Sequence, residues 1–400
     1  MTQPTPRFPA PPGASLPDGQ RIRRAWPNPG AGPRLLFFSG GSALRETSAV
    51  LKNYTHNSIH LITPFDSGGS SAVLRQAFDM LGLGDLRNRL VALTDETASG
   101  QAQVAALFSH RFPADGNEQA LTQEFERIVQ GQHPLVQSLP QRLREVVASN
   151  LRRFSEEKPE GFDLRLASIG NLILAGGYLV QQEDIGAVLE QFTDLVGALG
   201  TVRPVVTESA HLVAIHKSGK RTVGQHNIGS EECLARGPIE ALELTSALHG
   251  GHPLELDADP VSLDLIRSAQ LVVFSMGSFF GSVLANLLPR GIGRAVLEND
   301  APRIYIPNCG RDPEMHGTSV NHCAAKIGEL LGRDADRDLG LGQALDFVLV
   351  DTTGLHYESP MDLDALAHAG VQVLDVDLAN DGGDRIDPRK LSEILLSLVL

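Results

Sequence analysis

An α/β protein built on a mostly parallel sheet, with helices on both faces and a helical insertion, is the fold this sequence predicts. Three observations predict it. A short apolar run, a glycine turn and a helical pattern occur in series at RLLFFSGGSALRETSAVLKNY, at SIHLITPFDSGGSSAVLRQAF and at QLVVFSMGSFFGSVLANLL. Strand–turn–helix units in series pack as parallel strands with crossover helices. Two further strand-like runs, RIYIPN and DFVLVD, lie toward the C-terminus. With 42% hydrophobic and 20% charged residues over 400 positions, the chain can bury a sizeable core.

Residues 1–33 are rich in Pro, Gly and polar residues, and are expected to form a flexible or loosely docked arm. The α/β domain is expected over 34–400. Its first strand is Leu35 to Phe38, closed by Ser39-Gly40-Gly41-Ser42; its second is SIHLITP, closed by FDSGGSS. GDLRNRLVALTD reads as a helix with Asp85 as its cap. Arg87 and Arg89, two apart, then face different ways. Between about 113 and 160, QALTQEFERIVQGQ and VQSLPQRLREVVASNLRRF read as charged amphipathic helices, an insertion suited to packing, dimer contact or a lid. SIGNLILAGGYLV reads as a buried helix. VRPVVTESAHLVAIHKSGKRTVGQHNI alternates like strands joined by a turn at Ser218-Gly219. DPRKLSEILLSLVL reads as a closing helix. No fixed-period repeat is present.

The formal net charge of −14 opposes general binding to nucleic acid or to an anionic membrane. It leaves room for a small anionic ligand held by local N–H groups and arginines. Three cysteines without a CxxC pair fit a reducing, cytoplasmic compartment rather than a disulfide framework. The N-terminal residues lack the apolar core of a secretion signal. Ser268 to Pro289 carries no charge and is long enough to span a bilayer. Its interior Ser275, Ser278, Ser282 and Asn286 favour a strand, a turn and a helix instead.

In a parallel sheet, the loops at the carboxyl ends of strands line the ligand crevice, so the glycine turns are expected to meet there. Gly40, Gly41 and Ser42 lack the full GxGxxG or P-loop pattern. In FDSGGSS, glycines let a ligand approach the backbone. The following helix start offers N–H groups to an anion. Asp66 suits Mg²⁺ beside a diphosphate, since Mg²⁺ commonly takes one or two carboxylates plus phosphate oxygens. The same residues also read as an ordinary turn in which Asp66 or Ser67 caps the helix. Gly277 and Ser278 fit either a phosphate loop or a tight turn. HGTSVNHC, with His316, His322 and Cys323, matches no zinc spacing. No GxSxG nucleophile turn occurs.

With these pieces in order, the chain resembles the CofD/YvcK superfamily. This comprises 2-phospho-L-lactate transferases and YvcK-type gluconeogenesis factors that bind UDP-sugars. The matching segments are SGGSALRETSAVLKNYT, FDSGGSSAVLRQAF, GDLRNRLVAL, LFSHRF, GNLILAGGYL, ESAHLVA, HNI, SAQLVVFSMGSFFGSVLANLLPRGI, IYIPNCGRDPEMHG and LDFVLVD, in family order over about 34–350. Several lean toward the YvcK side, and the CofD-related proteins of the GAK system are similar too. The resemblance implies a Rossmann-like fold and a nucleotide or diphosphate ligand. For the transferases it also implies Mg²⁺ and attack of a hydroxyl on phosphorus.

It places the metal on Asp66 and assigns Asp66 and Arg87 to catalysis. Ligand contacts fall to Gly40, Gly41, Ser42, Ser67, Gly68, Gly69, Ser70, Asp85, Asn88, Gly170, Asn171, Gly277 and Ser278. A homodimer is the implied assembly, and the GAK resemblance adds an ATP-grasp enzyme and an HprK-related kinase as partners. The sequence departs from the pattern at Ser67, where the family often has a second Asp, and at Met276 and Phe279, where Pro and Tyr are usual. The alternative to a transferase is a UDP-sugar-binding regulator without catalysis.

Overall fold

The computed structural model describes residues 7–8, 16–26, 28–95 and 101–399. Seven strands form one parallel sheet: β1 (Leu35–Ser39), β2 (Ile59–Ile62), β3 (Thr201–Pro204), β8 (Leu271–Phe274), β9 (Arg303–Tyr305), β10 (Phe347–Val350) and β11 (Gln372–Asp375). Their spatial order is β11-β10-β9-β8-β1-β2-β3, and every pairing is parallel. Four strands form a smaller antiparallel sheet in the order β5-β4-β6-β7: β4 (His211–His216), β5 (Arg221–Val223), β6 (Ile239–Thr245) and β7 (Pro253–Leu254).

Alternation along β1 divides the core. Leu36 and Phe38 join the layer that also contains Leu212, Ala214, Leu242 and Leu244 of the small sheet. Leu35 and Phe37 point to the other face, packed with Leu391, Ile394 and Leu395 of the closing helix Pro388–Ser397. The central strands β1 and β8 are almost wholly apolar, as is β10, because both faces of the sheet are covered there. A third core lies among the helices Gly84–Leu93, Glu118–Val129, Gln141–Glu157, Ile169–Val180 and Ile185–Val196, with Phe108, Phe125, Phe154 and Phe192 at its centre. In the N-terminal segment, Gly19–Ala25 is helical and buries Ile22 against the closing helix.

Two local expectations are corrected. The segment after β8 is wound as a wide π-helical turn, Phe279–Val283, then a tight 3-10 turn, Leu284–Leu287, rather than a regular α-helix. Asp85 lies inside the first turn of its helix, where Leu83 holds the cap position, and so does not cap it. No helix among the described residues is long and apolar enough to cross a membrane.

Candidate functional site

The strand order reverses direction between β1 and β8. From β1 the chain builds outward to β2, and from β8 it builds the opposite way. The loops leaving these two neighbours therefore splay apart and open a crevice at the carboxyl edge of the sheet. A cavity of about 700 Å³ occupies it, and Gly40, Gly41, Ser42, Asp85, Asn88, Gly277 and Ser278 all line it. Both loops are pinned from beneath. Ser275 Oγ donates to the Phe38 carbonyl at 2.9 Å, and Asn286 Nδ2 donates to the Ser39 carbonyl at 3.2 Å. Gly277 has φ of 138°, a conformation that side chains disfavour.

The glycines of the first loop admit their neighbours. A Cβ at Gly40 would stand 2.6 Å from Ser282 Oγ, and one at Gly41 would overlap the Asp85 carboxylate. Asp85 accepts the Gly41 backbone N–H. Burial, and then the nearby Asp66 charge, raise its carboxyl to about 6 against the opposing pull of that N–H and of Arg89 and Arg87. Beneath the loop, the fully buried Arg89 donates to the Gly40 carbonyl at 2.8 Å and to Ser48 Oγ. Arg89 is thus a strut for the first glycine loop, a role its place in an amphipathic pattern does not announce.

FDSGGSS sits beside this cavity rather than in its wall. Asp66 Oδ1 accepts the Gly68 N–H at 3.0 Å, closing a turn just before the helix Gly69–Phe78, whose cap position is Gly68. Asp66 Oδ2 lies 2.9 Å from where a Cβ on Gly84 would stand, next to Asp85. Arg75, from the last turn of that helix, donates to the Phe65 and Asp66 carbonyls at 3.2 and 3.1 Å and fixes the turn. Asn171 Nδ2 donates to Ser70 Oγ at 2.7 Å, and Ser71 Oγ accepts the Gly84 N–H at 3.3 Å. A Cβ on Gly170 would strike the Arg87 side chain at 2.5 Å. Gly170 and Asn171 thus support the site from behind.

Ser67 is 2% exposed and is held by His226, with Oγ 2.8 Å from Nδ1 and accepting the His226 N–H at 3.3 Å. The helix-capping role considered for Asp66 or Ser67 is therefore not what the side chains do: the helix has no side-chain cap bond.

Arg87 is 7% exposed, so the surface position open to it in an ordinary capped helix is not the one it takes. Its Nη1 donates to the Phe108 carbonyl at 2.9 Å, while Nε has no partner. Burial, then the like charge of Arg111, lower it to about 10, with Arg45 adding to the repulsion and Asp85 opposing it. It remains cationic at neutral pH and stands set back from the cavity.

Sequence reasoning assigned no role to Gln225, Asn308, Cys309, Arg45 and Arg385, which also line the cavity. HNI and IYIPNCGRDPEMHG flank or contain the first three, so the signal lay in segments without an assigned chemistry. The second of these segments also supplies two carboxylates to the turn after β8. Asp312 accepts the Phe279 N–H at 3.0 Å and Glu314 accepts the Gly281 N–H at 2.6 Å. Burial, then the Asp312 charge, push Glu314 up to about 8. The N–H groups that would otherwise face an anion at this turn start are thereby engaged.

A parallel sheet with a crevice at its switch point, walled by glycine loops and flanked by two carboxylates, defines an α/β protein of the Rossmann-like class. The chain belongs to the CofD family: the model described as 2-phospho-L-lactate transferase CofD matches residues 35–380. Among curated relatives, the gluconeogenesis factor of Bacillus subtilis is 27% identical over 389 residues, covering 92% of this chain and 99% of the relative. A putative gluconeogenesis factor of Thermoanaerobacterium thermosulfurigenes is 26% identical over 392 residues, covering 92% and 97%. A solved UPF0052-family protein of Bacillus halodurans superposes with a TM-score of 0.66 at 23% identity, over 91% of this chain and 99% of that one. That likeness shows the shared fold.

Proposed function

We propose that this chain binds a nucleotide or other diphosphate-bearing small molecule in the crevice and transfers a phosphorus-containing group to a hydroxyl acceptor. The observation that carries the reading is the pair Asp66 and Asp85. Two carboxylates from different elements approach closely enough that one charge raises the other's pKa. Carboxylates that repel at a glycine-walled crevice suit a divalent cation shared with phosphate.

The donor set fits Mg²⁺. Asp66 and Asp85 would supply two anionic ligands, and phosphate oxygens and water would complete such a shell. Among the described residues no group of three or more His, Cys, Asp or Glu could hold a metal, so the ligand's own phosphates are part of the fit. Mg²⁺ held there would neutralise phosphate charge. The glycine loops would let the phosphates approach the backbone, and Arg87 would add fixed positive charge behind them. In the transfer, the acceptor oxygen bonds to phosphorus, the bond to the departing phosphate oxygen breaks, and the hydroxyl proton ends on the departing phosphate.

The test is calorimetric titration with GDP and with UDP-N-acetylglucosamine, with and without Mg²⁺, on wild type, Asp66→Ala and Asp85→Asn, followed by ³¹P NMR for product with hydroxyl acceptors. Mg²⁺-dependent binding lost in both variants supports the reading. Equal binding with and without Mg²⁺, and no product, overturns it.

A second reading is favoured by Ser67. Where a second carboxylate is frequent in the family, this chain has a neutral hydroxyl already engaged by His226. A UDP-sugar-binding regulator without catalysis fits that arrangement, and the relatives' name, gluconeogenesis factor, accords with it. Tight, Mg²⁺-independent binding of the UDP-sugar that changes assembly or partner binding would select this reading.

A further inference from the structure

A second cavity, of about 640 Å³, lies at the opposite edge of the same sheet. It is lined by Arg7, Arg303 and Arg337 together with Leu297, Leu339 and Gln343. Arg303 opens β9, and Asp346 immediately precedes β10, so this is the amino edge of the parallel strands. Asn308 and Cys309, a few residues beyond the other end of β9, line the crevice. The two cavities are therefore separated by the length of a strand.

Arg303 is 2% exposed, yet its Nε and Nη1 have no hydrogen-bond partner. The plain structural account would pair it with Asp346. That pairing is incomplete: Nε stands 3.6 Å from Asp346 Oδ2, and the same oxygen accepts the Arg303 backbone N–H at 2.8 Å. Asp346 is itself pushed up to about 7 by burial, against the pull of Arg7. Arg7 is tied to Asp300 at 3.1 Å, and Arg337 is exposed at the rim.

A buried guanidinium with unmet donors is costly unless an anion meets them. Its planar fork suits the oxygens of a phosphate. Three arginines around one cavity also stand out in a chain of net charge −14. The volume lies in the range of small-molecule sites, and Leu297 and Leu339 offer apolar surface to an organic portion.

We propose that this cavity is a second ligand site, specific for a small phosphate-bearing anion, in which Arg303 is the buried anchor and Arg337 the entrance contact. It is separate from the crevice, and neither the transferase nor the regulator reading requires it.

The test is hydrogen exchange of the intact protein titrated with inorganic phosphate at constant ionic strength. Backbone amides of 337–343 are expected to gain protection in wild type, at phosphate concentrations at least fivefold lower than in Arg337→Ala or Arg303→Met. The response of the glycine loops at 40–42 and 277–278 should be the same in all three proteins. Should Arg303→Met fail to fold, Arg337→Ala decides alone, because that side chain is exposed. No protection of 337–343 in wild type, or equal protection in Arg337→Ala, overturns the proposal.

Discussion

The Asp85 carboxylate occupies the space that any side chain on Gly41 would need, and it accepts that residue's backbone N–H. The glycine loop is thereby coupled to the start of the helix Gly84–Leu93. A substitution on either side is felt on the other.

Gly41→Ala tests the coupling. A methyl there cannot coexist with Asp85 in its present position, whose Cα is 3.0 Å from the added atom. Asp85 or the loop must move. The expected outcome is a loss of crevice ligand affinity of about tenfold or more, equivalent to about 1.4 kcal/mol, with the fold retained by circular dichroism. Unchanged calorimetric affinity would show that the loop is not a ligand wall.

Asp85→Asn separates stability from function. The folded carboxyl titrates near 6, above its ordinary 3.8. Between these values the folded state holds a proton that the unfolded state has released. Stability therefore falls as pH rises from about 3.8 to 6 and levels off above. Removing the charge should raise stability at pH 7 by up to about 3 kcal/mol, from about 1.4 kcal/mol per pKa unit, and flatten that fall. Mg²⁺-dependent binding should be lost. Chemical denaturation across pH 4–8 reads the first effect and calorimetry the second.

Glu314→Gln addresses the turn after β8. Its folded carboxyl stands near 8 against an ordinary 4.5, so wild-type stability declines between about pH 4.5 and 8 and then flattens. Glutamine keeps an oxygen for the Gly281 N–H but does not titrate. The variant should lose a slope of at most about 1.4 kcal/mol per pH unit in that window. An identical pH profile would mean that Glu314 titrates normally.

Arg89→Met removes the strut under Gly40. Ser48 Oγ and the Gly40 carbonyl lose their donor in a site with no exposure. A destabilisation of about 2–3 kcal/mol is expected, together with weaker crevice binding. Urea denaturation and ligand titration on the same preparation check both. A loss of stability with full ligand affinity would make Arg89 a core residue only.

Ser67→Asp tests the departure from the family pattern. A carboxylate there would join Asp66 and stand against His226. Mg²⁺ affinity should rise several-fold, since a further carboxylate adds an anionic ligand. Calorimetric Mg²⁺ titration reports it. No change would remove Ser67 from the metal's surroundings.

The sequence by itself determined the strand–turn–helix rhythm. β1, β2, β8 and β9 lie where apolar runs end at serine or proline, and β10 where one ends at Asp351, because strand periodicity and turn chemistry act over a few neighbours. Those same turns fixed which loops reach the carboxyl edge. Short-range pattern could not settle what the side chains do there. Ser67 and His226 are 159 residues apart, and the Phe279 N–H finds Asp312 from another segment. Arg87 and Arg89 look alike in GDLRNRL, yet one reaches the Phe108 carbonyl and the other the Gly40 carbonyl. Only the tertiary structure decided these. Burial and the approach of distant charges set hydrogen-bond partners and pKa, and both depend on which segments the sheet order brings together.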